Sequence, residues 1–176
     1  MKNRLLLALK QELVTEDKSV EKTDIIIPVY KPDNTFLELI RKLEQQSVSV
    51  NRIIVMNTEQ KYFDRLIYGT SFQKDHHNVL VRHLSRREFD HGRTRNRGVQ
   101  YSDAEYFIMM TQDAVPADVH LIEELLGQLR REKVAVAYAR QIAPEGSSEI
   151  EKYTRSFNYP KESCLKGRED LEKLGV

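Results

Sequence analysis

Asp113 closes the apolar run Tyr106-Phe107-Ile108-Met109-Met110-Thr111-Gln112, and Ala114-Val115-Pro116 ends the segment. Such a run predicts a buried strand, and the proline stops it. In an open α/β sheet, ligands bind beyond the carboxyl ends of the strands. A lone carboxylate there is placed for a divalent cation or a polar ligand. Its competing duty is structural, since Asp also caps helices and a helix is expected near Ala117.

Other strand ends carry polar groups too. Tyr30 ends Asp24-Ile25-Ile26-Ile27-Pro28-Val29, and Asn57 and Glu59 follow Arg52-Ile53-Ile54-Val55-Met56. The segment Ser85 to Gly98, after a strand at Val79–Val81, holds Arg86, Arg87, Arg93, Arg95 and Arg97. All four sets fall at carboxyl ends, hence at one edge of a parallel sheet. A carboxylate for a cation beside several arginines suits a diphosphate, which needs hard-cation bridging and charge neutralisation. The plainer reading of the arginines is a solvated basic face. Helical spacing divides them, because Arg93 and Arg97 share a face and Arg95 does not. His91 beside Asp90 could be a base, although a surface histidine is the commoner case. Asp75-His76-His77 would suit a manganese phosphoesterase if it followed a strand, but it precedes Val79 and so lies at the opposite edge. His76, His77 and His83 lack the thiol or third spaced ligand of a zinc site. No Gly-rich phosphate loop is present.

Strands and helices must alternate to position these groups. Leu5, Leu6, Leu9 and Leu13 have helical spacing over residues 2–14, for packing on the domain or on a second subunit as a homodimer. Thr15 to Thr23 is a connector. The β-branched run Ile25–Val29 predicts a buried parallel strand. Pro28 cannot donate a ladder hydrogen bond, so pairing should weaken at its tip. A helix Thr35–Gln46 follows, capped by Asp33 or Asn34, with Phe36, Leu39, Ile40 and Leu43 inward. Further helices are predicted at Tyr62–Tyr68, Arg93–Tyr101, Asp118–Arg131 and Ile150–Phe157. A fifth strand is predicted at Val134–Ala139. Residues 158–176 are polar, without a core element. The alternation predicts an α/β, doubly wound, largely parallel sheet.

Bulk composition narrows the classes. The 176 residues fit one domain, and 31% are charged. A net charge of +1 and an arginine cluster without interleaved aromatics argue against a nucleic-acid partner. No run approaches the ~20 apolar residues of a membrane span, and Leu5–Leu9 lacks a signal-peptide pattern. A single cysteine, Cys164, forms no internal disulfide and fits a reducing compartment.

Ile25-Ile26-Ile27-Pro28-Val29-Tyr30 followed by a capped helix resembles the opening of the inverting family 2 glycosyltransferases, which have the GT-A fold. Thr94-Arg95-Asn96-Arg97-Gly98 is similar to that family's Ala-Arg-Asn-x-Gly segment. Thr111-Gln112-Asp113 sits where the family carries its Asp-x-Asp metal motif. Together with Phe89-Asp90-His91-Gly92, Tyr138-Ala139-Arg140-Gln141 and Arg155-Ser156-Phe157-Asn158-Tyr159-Pro160, these resemble the rhamnosyltransferase-like branch.

The resemblance implies a domain plan: an N-terminal helix and connector over 1–22, a nucleotide-sugar-binding GT-A domain over 23–142, and the start of an acceptor-side region over 143–176. It implies that Pro28, Val29 and Tyr30 line the base and ribose, that Asn57 with Glu59 reads the base, and that Arg93, Arg95 and Gln112 lie at the nucleotide pocket. Asp113 would hold Mg²⁺ or Mn²⁺ across the diphosphate. The implied strand order, 3-2-1-4, sets Pro28–Tyr30 opposite Asp113. The implied donor is dTDP-rhamnose, with a UDP-sugar second. The acceptor is a cell-surface polysaccharide or lipid-linked glycan, on the cytoplasmic side or at the inner face of the membrane. Two departures stand out. Thr111 replaces the first Asp of the motif. The general base that an inverting transfer needs is expected beyond Val176, so the chain reads as the nucleotide-binding half of a longer enzyme; Glu169 and Asp170 read as solvated. The alternative is a nucleotide-binding or protein-interaction module without turnover.

Overall fold

The structure, a computed structural model, describes residues 21–170, so the helix expected over 2–14 lies outside the described residues. Two compact units divide between Glu123 and Glu124.

The first unit is built on a four-stranded sheet of order β3-β2-β1-β4. Its strands are β1 (Thr23–Tyr30), β2 (Arg52–Thr58), β3 (Val79–Leu84) and β4 (Tyr106–Met109). Every ladder is parallel, and this is the order expected for a GT-A fold. The Ile and Val of β1 and β2 are wholly or almost wholly buried, as strands covered on both faces require. The intervening helices are α1 (Asn34–Glu44), α2 (Gln60–Ile67), the short α3 (Phe72–Asp75) and α4 (His91–Val99). Asp33 caps α1 by accepting from Thr35 N. Phe36, Leu39, Ile40 and Leu43 form its buried stripe, as their spacing predicts. Phe36, Phe63 and Phe72 make a chain of edge contacts that joins α1, α2 and α3. Opposite them, α4 packs closely on β1 and β2. A Cβ on Gly98 would lie 2.5 Å from Ile26 Cγ2 and 3.4 Å from Met56 Cγ.

The amino edge of the sheet is tied by polar side chains. Buried Asp24 accepts from Asn51 Nδ2 and from Ser102 Oγ, each at 2.7 Å. Buried charges persist when they are bonded in this way. His76 is also engaged, with its Nδ1 2.8 Å from Glu44 Oε2. The tripeptide Asp75-His76-His77 thus lies at the end of α3, ahead of β3 and away from the carboxyl edge.

The buried strand predicted over Tyr106–Gln112 is shorter and less covered: β4 ends at Met109, and Phe107 and Met109 are exposed. A helix start and a strand also differ from expectation. The helix predicted from Asp118 is α5 (Leu121–Leu129). Gln46 explains its late start. Its Nε2 donates to Asp118 O and its Oε1 accepts from Ile122 N, so a side chain from the end of α1 satisfies the helix entry. The predicted fifth strand, Val134–Ala139, is not formed. These residues have no regular structure, and Val136 and Tyr138 are largely exposed. Strand propensity describes a side chain that fits a pleated surface; a strand also needs an adjacent edge to pair with, and none among the described residues pairs with this one.

The second unit holds α6 (Glu149–Asn158) and a single 3₁₀ turn at Arg168–Asp170. Ser148 caps α6 by accepting from Glu151 N. Arg155 bonds both Glu151 and Gln141. The apolar residues Ile150, Tyr153 and Phe157 of this helix are all exposed.

Candidate functional site

At the carboxyl edge the seam between β1 and β4 opens. β4 pairs with β1 only as far as Ile26↔Met109, and Met110 N then donates to Ile26 O at 3.0 Å. Alternate residues of a strand turn their backbone groups to the same neighbour. Pro28 and Tyr30 therefore face the same side as Ile26. Pro28 has no N–H to offer there, and the ladder stops. On the other side β1 stays paired with β2 through Tyr30↔Thr58. The weakening expected at Pro28 is thus confined to the β4 side.

Gln112 closes the opened seam. Its Oε1 accepts from Tyr30 N at 2.8 Å, and its Nε2 donates to Tyr30 O at 3.1 Å. The carboxamide presents to Tyr30 the donor and acceptor that a β4 peptide group would have presented. Asp113 follows in a tight turn, exposed, with Val115 N donating to its carbonyl. Asp113 does not cap α5; that helix begins eight residues later, at Leu121. The clasp thus ties the residue before Asp113 to the tip of β1.

The remaining predicted residues divide. Val29 is 2% exposed and belongs to the core, so only its backbone can meet a ligand. Pro28 is half-buried. The Tyr30 ring stands edge-on to Tyr62 at 5.7 Å, with the Lys31 ammonium 5.3 Å from both ring centres. Next to these groups an open groove is lined by Lys31, Pro32, Tyr62, Arg65 and Leu66. Glu59 adopts φ 64° and ψ 93° at the start of α2, a region that non-glycine residues seldom occupy. Its carboxylate lies 3.0 Å from Lys61 Nζ. That hydrogen bond, reinforced by the charge of Lys61, holds the Glu59 carboxyl below the usual range. Asn57 is fully buried; its Nδ2 donates to His83 Nδ1 at 2.9 Å, and its Oδ1 has no partner.

Asp90, not named among the expected site residues, caps α4. Its Oδ1 accepts from Gly92 N at 3.1 Å and from Arg93 N at 2.8 Å. The Arg93 bond is the main reason its carboxyl titrates below the ordinary value. The cap moves the helix start two residues ahead of the predicted Arg93. Arg93 is exposed and Arg95 half-buried; Arg95 Nη1 donates to His91 O at 2.9 Å. Arg97 is 3.5 Å from Glu88, which leaves it the plainer role of a surface ion pair. Sequence reasoning missed the Asn57–His83 hydrogen bond and the two bonds of Gln112 to Tyr30. Only the strand register that aligns Asn57 with His83 could have signalled the first.

Among the described residues no cluster of three or more His, Cys, Asp or Glu could hold a metal by itself. Asp113 offers one carboxylate. Mg²⁺ and related cations are commonly held by one or two carboxylates plus substrate phosphates and water. The residues therefore fit a cation bridged by a diphosphate, and not a preformed cage. No helix among the described residues is long and apolar enough to cross a membrane.

The chain is 30% identical over 156 residues to the O-antigen chain rhamnosyltransferase RfbN of Salmonella typhimurium, covering 88% of this chain and 48% of that protein. It is 25% identical over 154 residues to the O-antigen chain rhamnosyltransferase WbaN of Salmonella anatum, covering 86% and 47%. The chain thus spans about half the length of the curated relatives it matches. Among solved structures, S. aureus TarS 1-349 in complex with UDP-GlcNAc aligns with a TM-score of 0.47 and 17% identity, over 61% of this chain and 31% of that one. The model of glycosyl transferase family 2 matches residues 24–174, most of the sequence, and the chain belongs to that family.

Proposed function

We propose that this chain forms the nucleotide-sugar-binding half of an inverting glycosyltransferase that transfers rhamnose from dTDP-rhamnose, or a sugar from a UDP-sugar, to a cell-surface polysaccharide or lipid-linked glycan. The observation that carries the reading is the clasp of Gln112, the residue before Asp113, on the opened tip of β1 at Tyr30. The kinship with two O-antigen chain rhamnosyltransferases supports the donor and the acceptor class.

In this reading Tyr30 and the backbone of Val29 contact the base and ribose, with Asn57 and Glu59 reading the base. Arg93 and Arg95, on a helix anchored by the Asp90 cap, offset diphosphate charge. Asp113 would hold Mg²⁺ or Mn²⁺, which when bound would supply positive charge for the diphosphate and the departing nucleotide. No general base is assigned to the described residues. Glu169 and Asp170 lie in a 3₁₀ turn, where Asp170 Oδ2 accepts from Gly167 N. In this reading transfer takes place on the cytoplasmic side or at the inner face of the membrane.

Calorimetric titration of dTDP and UDP, with Mn²⁺ and then with EDTA, tests the reading. Metal-dependent binding is expected, and Asp113→Ala should abolish the metal dependence while leaving the unfolding midpoint in place. Binding unaffected by EDTA and by Asp113→Ala would remove the metal assignment. Absence of binding to the folded chain would favour a protein-interaction module.

A further inference from the structure

Lys31 and Glu59 directly follow Tyr30↔Thr58, the last paired residues of β1 and β2. Both have positive φ, 50° and 64°. Residues other than glycine seldom hold such a backbone, and asparagine does so more readily than lysine or glutamate. Pro32 adds to the cost at Lys31, because a proline drives the residue before it toward extended backbone. Strain of this kind persists where the side chain it presents has a duty.

Both side chains bear on the ring of Tyr62 in α2. The Lys31 ammonium is 5.3 Å from its centre. Glu59 acts through Lys61, whose Nζ lies 3.0 Å from the Glu59 carboxylate and 4.9 Å from the Tyr62 ring centre. Two cations thus share one ring, and Glu59 neutralises only the second. Among the described residues Lys31 makes no ion pair, and neither does Arg65, which stands three residues after Tyr62 on the same helix. Lys31 and Arg65 both line the open groove beside Tyr62, whose volume is about 550 Å³. That is the size of a small-molecule site. Pro32, Tyr62 and Leu66 supply the rest of its lining. Two cations that converge without a counter-charge repel each other, and an anion between them reverses the sign of the interaction.

We propose that this groove binds a phosphate group carried on an apolar or aromatic body. Lys31 and Arg65 meet the phosphate, as an ammonium and a guanidinium both do well. Pro32, Tyr62 and Leu66 form the wall for the body. None of the lining residues comes from the segment of Gln112 and Asp113. The groove is therefore a second site, and its occupation does not depend on the nucleotide reading.

Phenyl phosphate titrated into the full chain in EDTA, followed by ¹H–¹⁵N shifts, tests the proposal. Saturable binding is expected, with the largest shifts at Lys31, Tyr62 and Arg65. Inorganic phosphate should bind about tenfold more weakly, because it leaves the apolar wall uncovered. Lys31→Asn should weaken phenyl phosphate at least about tenfold, the loss of one charge-assisted bond. Its urea midpoint should not fall, since asparagine accepts the backbone better. Arg65→Gln should weaken binding as well. A lower midpoint together with unchanged affinity in Lys31→Asn would make Lys31 structural and overturn the proposal. Equal affinities for the two phosphates would overturn it too, as would no saturable binding to the folded native chain. Saturating UDP with Mn²⁺ should leave phenyl phosphate bound; displacement would give the groove to the nucleotide and refute a second site. If UDP does not bind at all, the nucleotide reading fails while the phenyl phosphate result still decides this one.

Discussion

Gln112 bears on the candidate site through two ordinary hydrogen bonds, at 2.8 and 3.1 Å, to the backbone of Tyr30. Each is worth about 0.5–1.5 kcal/mol net. Gln112→Ala should therefore lower stability by roughly 1–3 kcal/mol in urea unfolding, with nucleotide affinity falling alongside because the β1 tip is no longer held. An unchanged midpoint would mean that Tyr30 is held by β2 alone. Asp90 acts through its cap. Its folded pKa lies below the ordinary aspartate value, chiefly because Arg93 N donates to the carboxylate. A depressed folded pKa gives stability that is complete above the unfolded pKa and is lost as pH falls through the folded one. Asp90→Ala should accordingly be less stable than the native chain at pH 7, and the difference should vanish as pH drops below about 4 toward the folded value. A difference that persists unchanged at acid pH would place the effect elsewhere.

At the scale of elements, α4 can carry Arg93 and Arg95 to the sheet edge only because Gly98 permits close approach. A methyl at Gly98 would lie 2.5 Å from Cγ2 of Ile26, a wholly buried side chain. Alanine in a helix interior ordinarily gains up to about 1 kcal/mol over glycine. Overpacking a rigid core costs about 1–3 kcal/mol, so the clash should win. Gly98→Ala is expected to lower the urea midpoint and to weaken nucleotide binding by displacing the helix. Stabilisation instead would show that α4 can shift outward freely. α5 shows a related dependence on context. Its start is set by Gln46, a residue 76 positions from the Ile122 amide that it receives.

At the scale of the whole molecule, the two units are built differently. β1 and β2 are almost entirely buried, whereas Val136, Tyr138, Ile142, Ile150, Tyr153, Phe157 and Leu165 of the second unit are exposed. Regions with few buried apolar contacts open at lower free energy. Amides of β1 and β2 should be protected from hydrogen exchange at least ~100-fold more than those of α6. Equal protection would mean that the second unit is as firmly packed as the sheet. Ligand linkage belongs to this scale too. At a hundred times its dissociation constant, a bound nucleotide should raise unfolding free energy by about 2.7 kcal/mol, read as a higher melting temperature with Mn²⁺ and nucleotide than without.

The amino-acid sequence by itself determined the alternation of strands and helices, because periodicity and β-branched runs act locally and tertiary packing did not overrule them in β1, β2, α1 and α4. It also determined that Tyr30, Asn57, the arginines and Asp113 share an edge, since parallel strands force their carboxyl ends together. Tertiary structure decided the rest. Val134–Ala139 has the composition of a strand and does not form one, because a ladder needs a partner edge that local sequence cannot supply. The Gln112 clasp, 82 residues from Tyr30, and the Asn57–His83 pair, 26 residues apart, exist only once strand order and register are set. Hydrogen bonds depend on direction and on distances of a few tenths of an ångström, and no spacing in the chain encodes those.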